Sequence, residues 1–184
     1  LHPEGVLVSL DVFGVMAWQR NVDLAHTGQD IVHMAKYCDV LSPMIYPSHF
    51  FGMDGYASPG DAPEHFIGES MDRFELITAD SGVVIRPWLQ AFAWRTKSYS
   101  PDYIMRQVGT SRDRGGIGFL FWNARNDYSK PYVAMPVMKE HADKYFGKRP
   151  PQPAIKTASV EKPKAKPALK LANAKQTATS NIAK

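Results

Sequence analysis

Four apolar runs in this chain each end in residues able to do chemistry. The run Val6-Leu-Val-Ser-Leu-Asp-Val-Phe13 carries a single carboxylate, Asp11, near its end. The others end in Pro43-Met-Ile-Tyr-Pro-Ser-His49, Arg86-Pro-Trp-Leu-Gln-Ala-Phe92 and Phe119-Leu-Phe-Trp-Asn-Ala-Arg125. Together they supply an acid, an imidazole, guanidiniums, amides, a phenol and indoles. A carboxyl group can protonate a leaving oxygen or attack a carbon. Flat aromatic rings pack on the apolar faces of sugars, while amides and cations meet hydroxyls. The set suits chemistry on a carbohydrate.

Such residues act together only if the elements beneath them bring the four ends to one place. Each run reads as a strand, starting near residues 6, 40, 83 and 117, and a helical pattern follows each. Thr27 is the expected N-cap of a first helix carrying Ile31, Met34, Ala35 and Cys38 at helical spacing. Asp39 to Tyr46 is the second strand, and a Gly- and Pro-rich loop follows to Ala62. Pro63 opens a second helix, with Phe66, Ile67, Met71, Phe74, Leu76 and Ile77 on its apolar side. Val83 to Leu89 is the third strand. Ser100-Pro101-Asp102 combines a cap, a proline and an acid, a strong helix start. Ile117 to Trp122 is the fourth strand, and a last helix is expected over Tyr132 to Phe146, bent or restarted near Pro136.

The β-α-β-α-β-α-β-α order predicts an α/β fold with a parallel sheet and right-handed crossovers. Its repeat length suits a (β/α)₈ TIM-type barrel, of which four βα units are half. In that fold the ligand edge is the C-terminal end of the strands. A half-barrel would leave two edges and its interior open, so more of the barrel is expected upstream of Leu1. A small doubly wound domain is the structural alternative, although Asp11-Val-Phe-Gly-Val lacks a glycine-rich phosphate loop.

Charge is unevenly placed along the 184 residues, whose formal net charge is +4. Residues 148–184 carry a net +8 and residues 1–147 a net −4. Two regions are therefore expected: a body over 1–147 and a disordered Lys/Ala/Pro-rich tail over 148–184, too poor in large apolar residues to offset its ordering entropy. An acidic body argues against nucleic-acid binding by that region, whereas the tail suits contact with an anionic cell surface or a nucleic acid, a flexible tether or a solvated end. The single cysteine, Cys38, rules out an intramolecular disulfide and reads as a buried thiol. No His pair has metal-ligand spacing, so neither metal nor cofactor is expected. No apolar run reaches the roughly 18 residues of a membrane span.

Alternation sets Leu7, Ser9 and Asp11 on one strand face and the aliphatic Val8, Leu10 and Val12 on the other. The aliphatic face suits helices, which turns Asp11 into the barrel mouth as the candidate catalytic acid. Tyr46 offers stacking or a hydrogen bond, and His49 a hydroxyl contact. Arg86, Trp88 and Gln90 share a face; Arg86 is expected to pair with Asp11 and keep it ionised. Trp122 and Asn123 end the fourth strand, and alternation does not decide which faces inward. Trp18 and Trp94, with Phe50 and Phe51 nearby, are candidates to pave a groove, though both Phe residues suit packing under loops.

Ser9-Leu-Asp-Val-Phe-Gly14, Leu41-Ser-Pro-Met-Ile-Tyr-Pro-Ser-His49, Arg86-Pro-Trp-Leu-Gln-Ala-Phe92 and Gly118-Phe-Leu-Phe-Trp-Asn123 together resemble the bacterial glycoside-hydrolase-like barrel family described as family 13-like. They look like its fifth to eighth strands. The resemblance implies glycosidic-bond hydrolysis, a polysaccharide or cell-envelope glycan as substrate and an extracytoplasmic location. It also implies a carboxylate on an earlier strand, whose Phe-Asp-Tyr-Ile/Val-Arg-Phe-Pro-like motif has no match here. Hydrolysis needs two carboxyls about 5–9 Å apart, so Asp11 alone is expected to be insufficient. Asp54, Asp61 and Asp127 in the loops are the other acids on the ligand side. The second functional expectation is a glycan-binding or cell-wall-associated protein without catalysis.

Overall fold

The computed structural model of the chain describes residues 2–147; the expected tail over 148–184 lies outside the described residues. Five short strands, β1 (Ser9–Phe13), β2 (Val40–Ile45), β3 (Val84–Ile85), β4 (Trp88–Gln90) and β5 (Leu120–Trp122), form one sheet in which every pair is parallel. β2 pairs with β1 on one side and with β3 and then β4 on the other, and β4 pairs with β5. β3 and β4 are two halves of one strand course. The ladder breaks between them because Pro87, and Pro43 in β2, have no N–H to donate. The sheet thus has four strand positions, each followed by helical segments, the α/β arrangement of four βα units expected from the sequence.

The helices are α1 (Asn21–Thr27), α2 (Ile31–Met34), α3 (Pro63–Thr78), α4 (Pro101–Asp113), α5 (Ser129–Glu140) and α6 (Ala142–Tyr145). Several boundaries differ from expectation for local reasons. Thr27 ends α1 instead of capping a helix, because Gly28 takes a left-handed conformation and its N–H closes on the Leu24 carbonyl. Asp30 is the true cap of α2, its carboxylate accepting the His33 amide. At the other end of the chain, α5 runs through Pro136 and stops at His141. Ser100 caps α4 as expected, accepting the Tyr103 amide at 3.2 Å.

The core lies between the helices and one sheet face. Val12, Leu41, Ile45 and Leu89 are completely buried, against Phe66, Ile67 and Phe74 of α3 and Ile104 of α4. Cys38 is buried at the edge of this cluster, as expected. The opposite face is open: along β1, Ser9, Asp11 and Phe13 are exposed while Val12 between them is not. The alternation read from the sequence is therefore the one the strand adopts.

One close approach fixes how β1 leaves the sheet. Gly14, in a 3₁₀ turn over Gly14–Trp18, lies so near β2 that an added Cβ would meet the Met44 carbonyl oxygen at 2.5 Å. Gly14→Ala is expected to cost about 1–3 kcal/mol through this overpacking, read as a lowered Tm in thermal unfolding. An unchanged Tm would contradict the close approach.

Candidate functional site at the C-terminal rim of the sheet

On the open face, the Trp88 indole Nε1–H donates to Asp11 Oδ1 at 3.0 Å. The two residues come from strands that do not touch, β4 and β1, with β2 between them. Trp122 on β5 meets Trp88 edge-on, with ring centroids 6.3 Å apart and planes at 89°, and remains 47% exposed. An acid and two indoles from three strands thus share one open surface, with Trp122 rather than Asn123 presented on it.

Beyond the strand ends this surface runs into a cleft of about 580 Å³. Tyr46, His49, Phe92, Trp94, Tyr99 and Trp122 supply its aromatic lining. The Tyr46, His49 and Phe92 rings meet edge-on with centroids 5.5–5.9 Å apart. His49 also lies 4.9 Å from Trp94. Burial pushes the Tyr46 hydroxyl well above its usual range, with the Asp11 charge as the second cause. Tyr46 is thus a hydrogen-bond donor that stays protonated. His49 keeps surface exposure, yet packing of its ring lowers its pKa and the Arg95 charge lowers it further.

Two expected site residues have other duties, and a third does not make its expected pair. Gln90 is completely buried. Its Oε1 accepts the Ser48 amide at 3.1 Å, and its Nε2 donates to the Phe92 carbonyl and Thr96 Oγ1, both at 2.9 Å. Its amide joins the β2 and β4 loops and has no free atom for a ligand. Asn123 lines the cleft but is similarly committed. Its Nδ2 donates to the Ala91 and Asp127 carbonyls, and its Oδ1 accepts the Arg125 amide. Arg86 does not pair with Asp11 as the sequence suggested; Trp88, one pleat further on, holds the acid instead. The Arg86 Nε is buried and without a hydrogen-bond partner.

The loop acids separate too. Asp54 pairs with His65 at 2.9 Å, and Asp61 accepts two loop amides and the Ser98 hydroxyl. Asp127 lies at the cleft, where the Ser129 amide holds its carboxyl below the usual range. Among the remaining aromatics, Phe50 is core, stacked on Phe66 at 5.1 Å. Trp18 packs against Phe50 and under Arg73, away from the cleft. Phe51, expected under a loop, is 48% exposed beside Trp94. Sequence reasoning missed Tyr99, whose hydroxyl burial pushes up to about 12. Its position immediately before the Ser100 cap was the one available signal.

Among the described residues, no group of three or more His, Cys, Asp or Glu is placed to hold a metal ion. No described helix is long and apolar enough to cross a membrane.

Two measurements check this geometry. Gln90→Leu takes away the partner of the Ser48 amide and of the Phe92 carbonyl, and is expected to cost at least about 1–3 kcal/mol in denaturant unfolding. His49 is expected to titrate below 6.5 by NMR, and Arg95→Gln should move its midpoint only part of the way back. Because the unfolded chain then binds the proton more readily, His49 opposes folding as pH falls below its unfolded value. A His49 midpoint above 6.5 would contradict the packing described.

No curated protein sequence matches the chain. In structure it is similar to the glycoside hydrolase domain of PgaB (BpsB) from Bordetella bronchiseptica, with TM-score 0.48 and 18% identity. That likeness covers 70% of this chain and 35% of the other, so this chain spans about a third of its length. Residues 1–128 match the family model described as "Putative glycosyl hydrolase domain", and the chain belongs to that family.

Proposed function

We propose that the rim built by β1, β4 and β5 binds a glycan and that Asp11 is one of the two carboxyl groups that cleave its glycosidic bond. The observation that carries this reading is the Asp11–Trp88 hydrogen bond, on an open face beside exposed Trp122 and continuous with an aromatic-lined cleft. Family membership supports the reaction class.

Hydrolysis requires one carboxylic acid to protonate the departing glycosidic oxygen while a second group attacks the anomeric carbon or activates water. Trp88 fixes Asp11 Oδ1, and Asp11 Oδ2 has no protein partner among the described residues. Oδ2 is the atom we assign to the sugar. Trp88 and Trp122 provide faces on which a pyranose ring packs, and Tyr46 and His49 meet its hydroxyls. Asp127 already accepts the Ser129 amide, so the second carboxyl is assigned to a segment outside the described residues. In this reading residues 1–147 are the glycan-handling body. The basic 148–184 stretch contacts anionic surfaces, and an envelope glycan outside the cytoplasm is the fitting substrate.

A second reading, glycan binding without turnover, is favoured by one observation: Asp11 is the one acid on the open face of the described strands.

In a preparation that releases reducing ends from a glycan, Asp11→Asn is expected to lower kcat by about 100-fold or more with little change in Tm. Trp88→Phe, which removes the N–H but keeps a ring, should lower kcat by less. Unchanged hydrolysis of every accepted glycan in Asp11→Asn would overturn the assignment. Binding with no hydrolysis by any preparation would leave the second reading.

A further inference from the structure

We infer that the glycan this rim accepts carries carboxylate groups, as a uronic-acid polymer does. The inference rests on the glycan-binding reading above and concerns charge. Arg20, Arg73, Arg106, Arg112 and Arg114 each lie within ion-pairing distance of an Asp or Glu, all away from the cleft. The other described arginines, Arg86, Arg95 and Arg125, have no carboxylate partner among the described residues. All three belong to the open face or to the loops above it. Residues 1–147 carry a net −4, so acids are plentiful elsewhere on this body. Its unpaired guanidiniums are nonetheless gathered where the aromatics are.

Arg95 is held in place to be used. Its guanidinium lies 3.8 Å from the Phe51 ring centroid and 4.6 Å from that of Trp94. Its backbone takes a left-handed φ of 51°, uncommon for a residue with a side chain. Stacking on two exposed rings orients the planar fork while leaving its N–H edge free, the arrangement that reads a carboxylate with two parallel hydrogen bonds. Arg125 lines the same cleft as Trp94 and Trp122. Arg95 lines the adjoining hollow with Phe51, and Ala93 is common to both linings, so a uronic-acid chain stacked on Trp94 and Trp122 and reaching into that hollow brings carboxylates to both Arg125 and Arg95. The rim acids leave the cations available, since Asp11 is bonded to Trp88 and Asp127 to the Ser129 amide.

The test uses the full chain and tryptophan emission, which reports Trp88, Trp94 and Trp122 at the rim and has no contribution from residues 148–184, where no tryptophan occurs. Three probes are titrated: hexagalacturonate, the same hexamer after reduction of its carboxyls, and a hexathymidylate. Hexagalacturonate is expected to bind about tenfold or more tighter than the reduced hexamer. Arg95→Gln with Arg125→Gln should remove that advantage, bringing hexagalacturonate down to the affinity of the reduced hexamer. Equal binding of both hexamers, or no effect of the double variant on hexagalacturonate, overturns the charge inference and leaves the glycan reading standing. Binding of neither hexamer overturns the glycan reading itself. Hexathymidylate binding as tightly as hexagalacturonate overturns the inference in favour of a nucleic-acid site.

Discussion

A carboxylate and an indole on strands that do not touch can share a hydrogen bond only if the strand between them holds both in register. Asp11 and Trp88 are separated by the width of β2, two strand spacings or about 10 Å between backbones. The bond closes because Asp11 is opposite Ser42, Trp88 is opposite Met44, and both side chains leave the same sheet face. Sliding β1 or β4 by one residue would turn one partner toward the helices. The site therefore depends on the hydrophobic pattern on the other side of the sheet. Val12, Leu41, Ile45 and Leu89 select the face that meets α3 and α4, and the chemistry takes what remains.

Above the strand ends a different kind of order takes over. The loops carry backbone groups that no sheet ladder satisfies, and buried amides meet that need. Gln90 joins the loops after β2 and β4, Asn123 folds the loop after β5, and Gln107 of α4 pairs with both backbone groups of Gln90. These contacts hold the Tyr46, His49, Phe92 and Trp94 rings at one place without occupying the cleft themselves. Loss of a buried amide here leaves polar groups unsatisfied in a dry environment, so these amides keep the rim rigid.

The division between sheet and loops also marks how far the sequence was legible. Strand alternation is a local rule, so the aliphatic Val8, Leu10 and Val12 sufficed to turn Asp11 toward the open face. Helix starts with strong local chemistry, Pro63 and Ser100-Pro101, were equally readable. Thr27 was misread because Gly28 closes a helix that its own pattern did not announce. The expected Arg86–Asp11 pair failed because facing the same way does not say which neighbour meets the acid, and the Trp88 indole N–H takes Asp11 Oδ1 instead. Gln90 and Asn123 looked like sugar contacts because a polar residue at a strand end carries no sign of which backbone groups will need it. Tyr99 was overlooked because its contribution exists only once the loops before α4 and after β5 lie across one cleft.

The central claim is that the face bearing Asp11 and Trp88, together with the cleft above it, is where a sugar sits. The four indole N–H groups of Trp18, Trp88, Trp94 and Trp122 give four separate NMR signals, and an oligosaccharide titration tests the claim at each of them. The account predicts that the Trp88, Trp94 and Trp122 signals move together while that of Trp18, packed against Phe50 and Arg73, stays fixed. Movement of Trp18 alone, or of none of the rim indoles with a glycan that demonstrably binds, would contradict it.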